Sequence, residues 1–460
     1  MEYLNSLEIF LNGWADLMWG TPLVILLVGG GIYFMIHSSF KPYRYFGHAI
    51  NLILGKHDSD KDPGSIPHSQ ALATALSGTL GLGNIAGVAI AITVGGPGSI
   101  FWMWITAIAG VSTKFYTASL SVMYRKENLD GQLCGGPMYV ITEGMGRRWF
   151  PLAAVFSVAC MIGALPIFQA NQFVQLLRDL VAEPLNLATK ENHFSFDLVA
   201  SLIIASFVAL VIRGKIQRIG TFAIRIVPTM IAIYLFATSF ILFEYFDQIP
   251  DVFVLIINDA FTGSAVAGGS LGTVIMIGIR RGAFSNEAGI GTESMAHGTA
   301  KTREPIREGL VAMMGPVIDT LIMCTATAFI ILLTGVWEIN DNLYGVTLTA
   351  IALDTVFPFF GKYLLLVMVG FLSFTTMVTM WFYGVRSAGF LFGEKNSGFY
   401  TPVYLTLLVA GSVVSLDIVN GLILATFATM AIPTMISTLY LSPKVKVAAN
   451  QYFEKIKNKK

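Results

Sequence analysis

Two apolar stretches of this 460-residue chain carry glycine where an unbroken membrane helix would carry bulk. The first, from Ala73 to Val88, reads ATALSGTLGLGNIAGV and holds Gly78, Gly81, Gly83 and Gly87. The second reads TGSAVAGGSLGTVIMIG and holds Gly263, Gly268, Gly269, Gly272 and Gly278. Each glycine in a helix interior costs roughly 1 kcal/mol relative to alanine, so such runs favour local unwinding. Close helix packing is the competing use, and Gly83 to Gly87 fits GxxxG. Two runs at matching places favour broken helices. An unwound turn exposes N–H groups at the start of one half-helix and C=O groups at the end of the other. The first attract a carboxylate and the second a small cation such as sodium. A zwitterionic amino acid plus a cation uses both ends.

Other residues carry weaker signals. Lys114 and Asp319 lie inside apolar runs, about ten residues from the basic ends of their spans. Buried charges tend to pair, so the two are expected to neighbour each other or to share Glu287. Asn84 is a polar side chain within a span and needs a partner. GGSLG, Gly268 to Gly272, matches the G-x-S-x-G elbow, but that motif needs a strand-turn-helix setting and a triad histidine. His37, His48, His57, His68, His193 and His297 all fall near span ends or in loops, and none forms HExxH. GxxxxGK[ST] is absent, so no phosphate cradle is expected. Cys134, Cys160 and Cys324 have no metal-site spacing and read as small apolar residues.

The elements that must hold these residues follow from composition. Hydrophobic residues make up 55% and charged residues 12%, against about 25% charged in soluble domains. Mean hydropathy is +0.68. A basic nucleic-acid binder, a disordered chain and an ordinary soluble enzyme are excluded. At about 20 apolar residues per crossing, the chain predicts about eleven transmembrane helices. They fall at about 20–38, 70–94, 98–124, 150–180, 197–213, 219–245, 258–280, 308–334, 361–386, 399–416 and 418–441. Lys and Arg collect in alternate loops, from Lys41, Arg44 and Lys56 through Arg280, Arg281 and Arg303 to the tail at 444–460. The opposite loops carry Glu183, Glu191, Asp247, Asp251 and Glu338. By the positive-inside rule the N-terminus is outside and the C-terminus cytoplasmic, which requires an odd span count. Met1 to Gly20 holds no Lys or Arg, so no cleavable signal is expected.

Ten spans follow the first, in two groups of five. An odd group size reverses the second group, giving a 5+5 inverted repeat with a broken helix opening each half. The expected division is 1–64 for the N-terminal helix and linker, 65–251 and 252–442 for the two repeats, and 443–460 for a basic cytoplasmic tail. The fold class is therefore an all-α polytopic membrane protein.

Several motifs point to one family. SQALATALSGTLGLGNIAGVA followed by GGPGSIFWMW resembles the alanine or glycine:cation symporters. So do GGPMY (Gly135 to Tyr139), QAN (Gln169 to Asn171), RGAFSNEAGIG (Arg281 to Gly291) and SFTTMVTMWFYG (Ser373 to Gly384). The match spans about 65–440. The resemblance implies a bacterial or archaeal inner-membrane symporter with a leucine-transporter-type fold, importing alanine or glycine with sodium by alternating access. It implies no enzyme activity, no nucleic acid and no obligate protein partner; the bilayer and a small amino acid are its partners. The alternative is a same-fold transporter of another small amino acid or amine, including a proton-coupled one. Proton coupling normally wants a carboxylate or histidine in the site, and none is expected in the central helices.

Residue by residue, the resemblance places the substrate carboxylate on the turn Thr79 to Gly83, with Gly81 at its centre. It gives the substrate's polar end to Gln169 and the pocket walls to Phe168 and Trp381. The second broken helix, near Thr273 to Ile277, closes the pocket. Sodium is assigned to Asn84, Thr375 and Thr376 with backbone carbonyls near Ser77 and Leu80. The chain departs from the family pattern at Leu82, where a small polar residue is usual, and at Val385 and Arg386, where an acidic residue is usual.

Overall fold

The computed structural model describes residues 2–59, 61–128, 131–189, 191–262, 271–339, 345–414 and 416–458. It is helical apart from a small antiparallel hairpin, β1 (Lys126–Glu127) with β2 (Leu133–Cys134). Helix α1 (Glu2–Met18) leads into α2 (Thr21–His37), and the span bends by 46° between them. Trp19 sits at that bend, fully buried, and its Nε1 donates to Leu424 O at 2.8 Å. After α3 (Phe46–Ile53), α4 (His68–Thr79) breaks into a short turn and α5 (Ala86–Gly95), with a bend of 63°. The long helix α6 (Ser99–Met123) follows. The next spans are α7 (Phe150–Gly163), α8 (Ile167–Leu177), α9 (Phe194–Ile212) and α10 (Lys215–Glu244).

The second half opens with α11 (Ile249–Thr262) and α12 (Leu271–Asn286), followed by the short α13 (Thr292–His297). Helix α14 (Pro305–Leu333) has a π-helical stretch at Val317–Cys324. Then come α15 (Val346–Val356), α16 (Gly361–Phe392), α17 (Tyr400–Gly411) and α18 (Leu416–Lys457).

Six described helices are long and apolar enough to cross a membrane, or eight if each bent pair counts as one span. Helix α6 misses that standard although it has 25 residues, because Ser112, Thr113, Lys114, Thr117, Ser119 and Ser121 crowd its second half. All six are buried. The outside is the reverse: Phe207, Phe236, Phe240 and Phe243 project from α9 and α10 into the surroundings. Polar residues within and phenylalanine without is the arrangement for an apolar solvent.

The glycine runs resolve differently in the two halves. The first is a break, as expected. Gly263, Gly268 and Gly269 lie outside the described residues, whereas Leu271 to Asn286 is one continuous helix. The chain turns instead at 287–291, where Glu287 (φ +53°), Gly289 (φ +88°) and Gly291 (φ +100°) are left-handed. The expected opening near Thr273 to Ile277 is thus displaced by more than two turns. Gly278 serves close packing: a Cβ there would lie 2.4 Å from Ser99 O on α6. Gly87 has nothing within 4 Å of a Cβ, so the GxxxG match is not a packing contact.

At the end of the bundle carrying the basic loops, α4, α13 and α14 are tied together. His68 Nδ1, at the start of α4, and His297 Nδ1, at the end of α13 (2.6 Å), both meet the buried Glu308 carboxylate on α14. Beside them Lys301 N donates to Ile66 O at 2.7 Å.

Gly278→Val should lower the thermal midpoint of detergent-solubilised protein by several degrees, since overpacking costs about 1–3 kcal/mol. Gly87→Ala should leave it unchanged or raise it. Intrinsic tryptophan fluorescence during heating checks both.

Candidate functional site

The first break is built by backbone geometry. Gly81 is fully extended (φ −150°, ψ −154°), and a Cβ there would lie 3.0 Å from Thr376 Oγ1 on α16. The Gly81 N–H donates to Asn84 Oδ1 at 2.9 Å. Asn84 N–H donates to Gly81 O at 3.2 Å, closing the turn. The N–H groups of Leu82 and Gly83 begin that turn and have no acceptor among the described residues. They are the orphan donors of a helix start.

The second break is capped in the same manner. Asn286 Oδ1 accepts from Ala288 N at 2.9 Å, and Thr434 Oγ1 donates to Ile290 O at 2.8 Å. Both asparagines then converge on the π-helical stretch of α14. Asn84 Nδ2 donates to Asp319 Oδ1 at 2.7 Å and to Ser285 Oγ at 3.1 Å. Ser285 Oγ and Thr320 Oγ1 donate to Asp319 Oδ2 at 2.9 and 2.7 Å. Asn286 Nδ2 donates to Thr320 Oγ1 at 3.3 Å. Asp319 is fully buried and takes three side-chain donors.

The pairing expected of Lys114 is therefore revised. Its ammonium acts electrostatically on Glu287 and Asp319, but it makes no ion pair within 4 Å with either. Three neutral donors satisfy Asp319 instead.

Between the breaks lies a cavity of about 20 Å³, room for about one water. Gly78, Thr79, Gly81, Leu82 and Gly83 line it from the first break, and Ser285 and Glu287 from the second. Phe168 and Gln169 face it from α8, Thr376 and Met380 from α16, and Ile423 and Phe427 from α18. Gln169 Oε1 is buried without a hydrogen-bond partner. Phe284 closes the wall, its ring 5.4 Å from that of Phe427.

Of the expected substrate residues, Thr79, Gly81, Gly83, Phe168 and Gln169 meet at this cavity. Three do not. Thr273 is exposed, and Ile277 packs where a Gly95 Cβ would stand, 2.9 Å away. Trp381 lines a separate cavity of about 340 Å³ with Tyr139, Lys215 and Arg386, and its Nε1 donates to Thr401 Oγ1 at 3.1 Å. The helical period explains this: Thr376, Thr379, Met380 and Tyr383 share the face toward the first break, and position 381 turns away.

The expected cation ligands gather in part. Thr376 Oγ1 lies 3.5 Å from Leu80 O, and Ser77 Oγ lies 2.5 Å from Thr379 Oγ1. Thr375 Oγ1 donates to Leu372 O of its own helix at 3.0 Å. Asn84 spends its amide on Gly81, Ser285 and Asp319. These neutral oxygens suit a monovalent ion, for which carbonyls at a half-helix end are typical ligands.

Glu287, Phe284, Met380, Ile423 and Phe427 were not expected here. Glu287 and Phe284 stand inside RGAFSNEAGIG, so the motif held the signal, but the break was sought upstream. For Phe427 the sequence offers no local clue. Glu287 also overturns the expectation that the central helices hold no carboxylate. Leu82 is a buried wall residue, and Arg386 stacks on Phe382 (5.3 Å) near Gln132, away from the central cavity.

The sodium:alanine symporter family model matches residues 4–460. The chain belongs to that family. It is 36% identical to the sodium/alanine symporter AgcS of Methanococcus maripaludis, covering 97% of each chain. It is 32% identical to the probable sodium/glutamine symporter GlnT of Bacillus subtilis, over 95% of this chain and 89% of that one. Among solved structures it resembles MhsT in complex with L-phenylalanine, at a TM-score of 0.56 and 10% identity, over 85% of this chain and 99% of that one. The likeness is one of fold, the leucine-transporter type. The protein is thus a multi-pass membrane transporter of the sodium:alanine symporter family and not an enzyme.

Asp319→Ala strands the donors of Asn84, Ser285 and Thr320, at about 1–3 kcal/mol for each one left unsatisfied. A fall in thermal midpoint well beyond that of Gly278→Val is expected in the same fluorescence assay.

Proposed function

We propose that the protein is a sodium-coupled symporter that imports small neutral amino acids, alanine and glycine, by alternating access. The observation that carries this is the pair of unpaired N–H groups of Leu82 and Gly83 at the cavity wall. Two amides at a half-helix start form a carboxylate site. Sodium takes the place beside Leu80 O, with the Thr376 hydroxyl and the carbonyl of Ser77, and Thr375 joins by a change of rotamer. Asn84 acts by holding the turn, and its Oδ1 keeps one lone pair for the ion. Gln169 supplies a polar contact to the bound substrate. Thr79 to Gly83, Phe168 and Gln169 form the substrate site, while Thr273, Ile277 and Trp381 are left out of it.

Selectivity for a small side chain is supported by Phe168, Phe284, Phe427 and Met380 around so little free volume. The walls must part for alanine and further for glutamine, the substrate in the name of one relative. Eleven crossings in a 5+5 inverted repeat, with the divisions given above and a cytoplasmic C-terminus in the inner membrane, remain part of the proposal. One observation favours the alternative, a proton-coupled transporter: Glu287 lines the cavity.

Uptake of labelled alanine and glycine into proteoliposomes, with and without an inward sodium gradient, tests the proposal. Sodium should drive accumulation, and Thr376→Ala should remove most of that stimulation. Gln169→Ala should raise the half-saturating alanine concentration about tenfold, the worth of one buried hydrogen bond. Uptake that ignores sodium and follows a proton gradient would contradict the coupling.

A further inference from the structure

Glu287 has no role in the site as described so far. It is 2% exposed, yet it faces the cavity from the second break. Its backbone is left-handed (φ +53°), a conformation costing a non-glycine residue roughly 1–2 kcal/mol. Thr292 Oγ1 donates to its Oε2. No hydrogen bond reaches Oε1 among the described residues, and no cation stands within 4 Å. A buried carboxylate with an open oxygen is costly unless something cationic arrives.

The other pole of the cavity is the reverse. Leu82 and Gly83 present N–H groups with no acceptor. Orphan donors on one wall and an underused carboxylate oxygen on the other complement a zwitterion. Neighbouring groups do not replace the ligand. Lys114 acts on Glu287 only at a distance, and Glu293 and Asp319 bear the same sign as Glu287. Tyr383 OH is buried without a partner next to the same cluster, and Glu293 Oε2 is likewise unpaired.

We propose that Glu287 is the counter-charge for the substrate's ammonium group, so that the site takes α-amino acids and rejects carboxylic acids lacking a cationic amine. This rests on the substrate site proposed above and adds its ammonium pole. The amides of the first break fix the carboxylate end, and Oε1 of Glu287 fixes the amine. Thr292 orients the carboxylate without neutralising it.

The test is competition against labelled-alanine uptake in proteoliposomes, with thermal midpoints read on each variant. Wild type should be inhibited by alanine and untouched by propionate or lactate at about hundredfold excess. Glu287→Gln should weaken alanine by at least about thirtyfold, as expected for loss of a buried charge pair. It should also erase the preference for alanine over lactate. Glu287→Asp, which keeps the charge, should retain that preference at reduced affinity and serves if the glutamine variant does not fold. Lactate competing as well as alanine in wild type overturns the proposal. So does Glu287→Gln with alanine affinity within about twofold of wild type, or weakened while still rejecting lactate. A purely structural Glu287 would lower the midpoint without changing the preference. Wild type that transports no α-amino acid would overturn the site itself.

Discussion

A polypeptide backbone that leaves its helix inside an apolar medium must find new partners for every N–H and C=O it frees. The structure depends on how that is done at two places at once. Asp319 and Thr320, side by side on the π-helical stretch of α14, anchor Asn84 from the first break and Asn286 from the second. Each asparagine in turn caps a freed N–H, of Gly81 and of Ala288. A helix of regular α pitch would not present this stretch with the same spacing, and π segments recur at functional sites for such reasons. One carboxylate therefore holds two unwound turns in register, and its own charge is satisfied by neutral donors.

What the clamp leaves unsatisfied is the site proposed above. Among the described residues Leu82 and Gly83 keep free N–H groups and Glu287 keeps an open oxygen, while Leu80 offers its carbonyl toward Thr376. Around them stand Phe168, Phe284, Phe427 and Met380, which exclude water and strengthen each polar contact. The remaining space is too small for an amino acid, and His68, His297 and Glu308 tie α4, α13 and α14 together at the basic end.

The sequence was most readable where glycine acts by conformation alone. GTLGLGN marked the first break correctly, because extended Gly81 and its approach to Thr376 have no other economical solution. The second glycine run misled. Gly278 serves helix packing, and the true turn at 287–291 is set by Glu287, Gly289 and Gly291, a shorter and more polar signal. Thr273 and Ile277, upstream of that turn, do not line the central cavity. Trp381 lines the other cavity, because its place on α16 is legible in the sequence but the face it occupies depends on the rotation of α16 about its axis. Asp319 is legible as a costly burial, but two of its three donors, Asn84 and Ser285, come from elements distant in sequence. The His68–Glu308–His297 bridge is hidden in the sequence because His68 lies 240 residues from Glu308.

The central claim is that the two breaks, held by one carboxylate, bind a zwitterion and a cation through their unpaired ends. An experimental structure with alanine and sodium bound measures this most directly. The account predicts the substrate carboxylate within hydrogen-bonding distance of the Leu82 and Gly83 amides, and the ion beside Leu80 O and the Thr376 hydroxyl. Alanine in the cavity lined by Trp381 and Arg386, or with its carboxylate turned away from those amides, would contradict it.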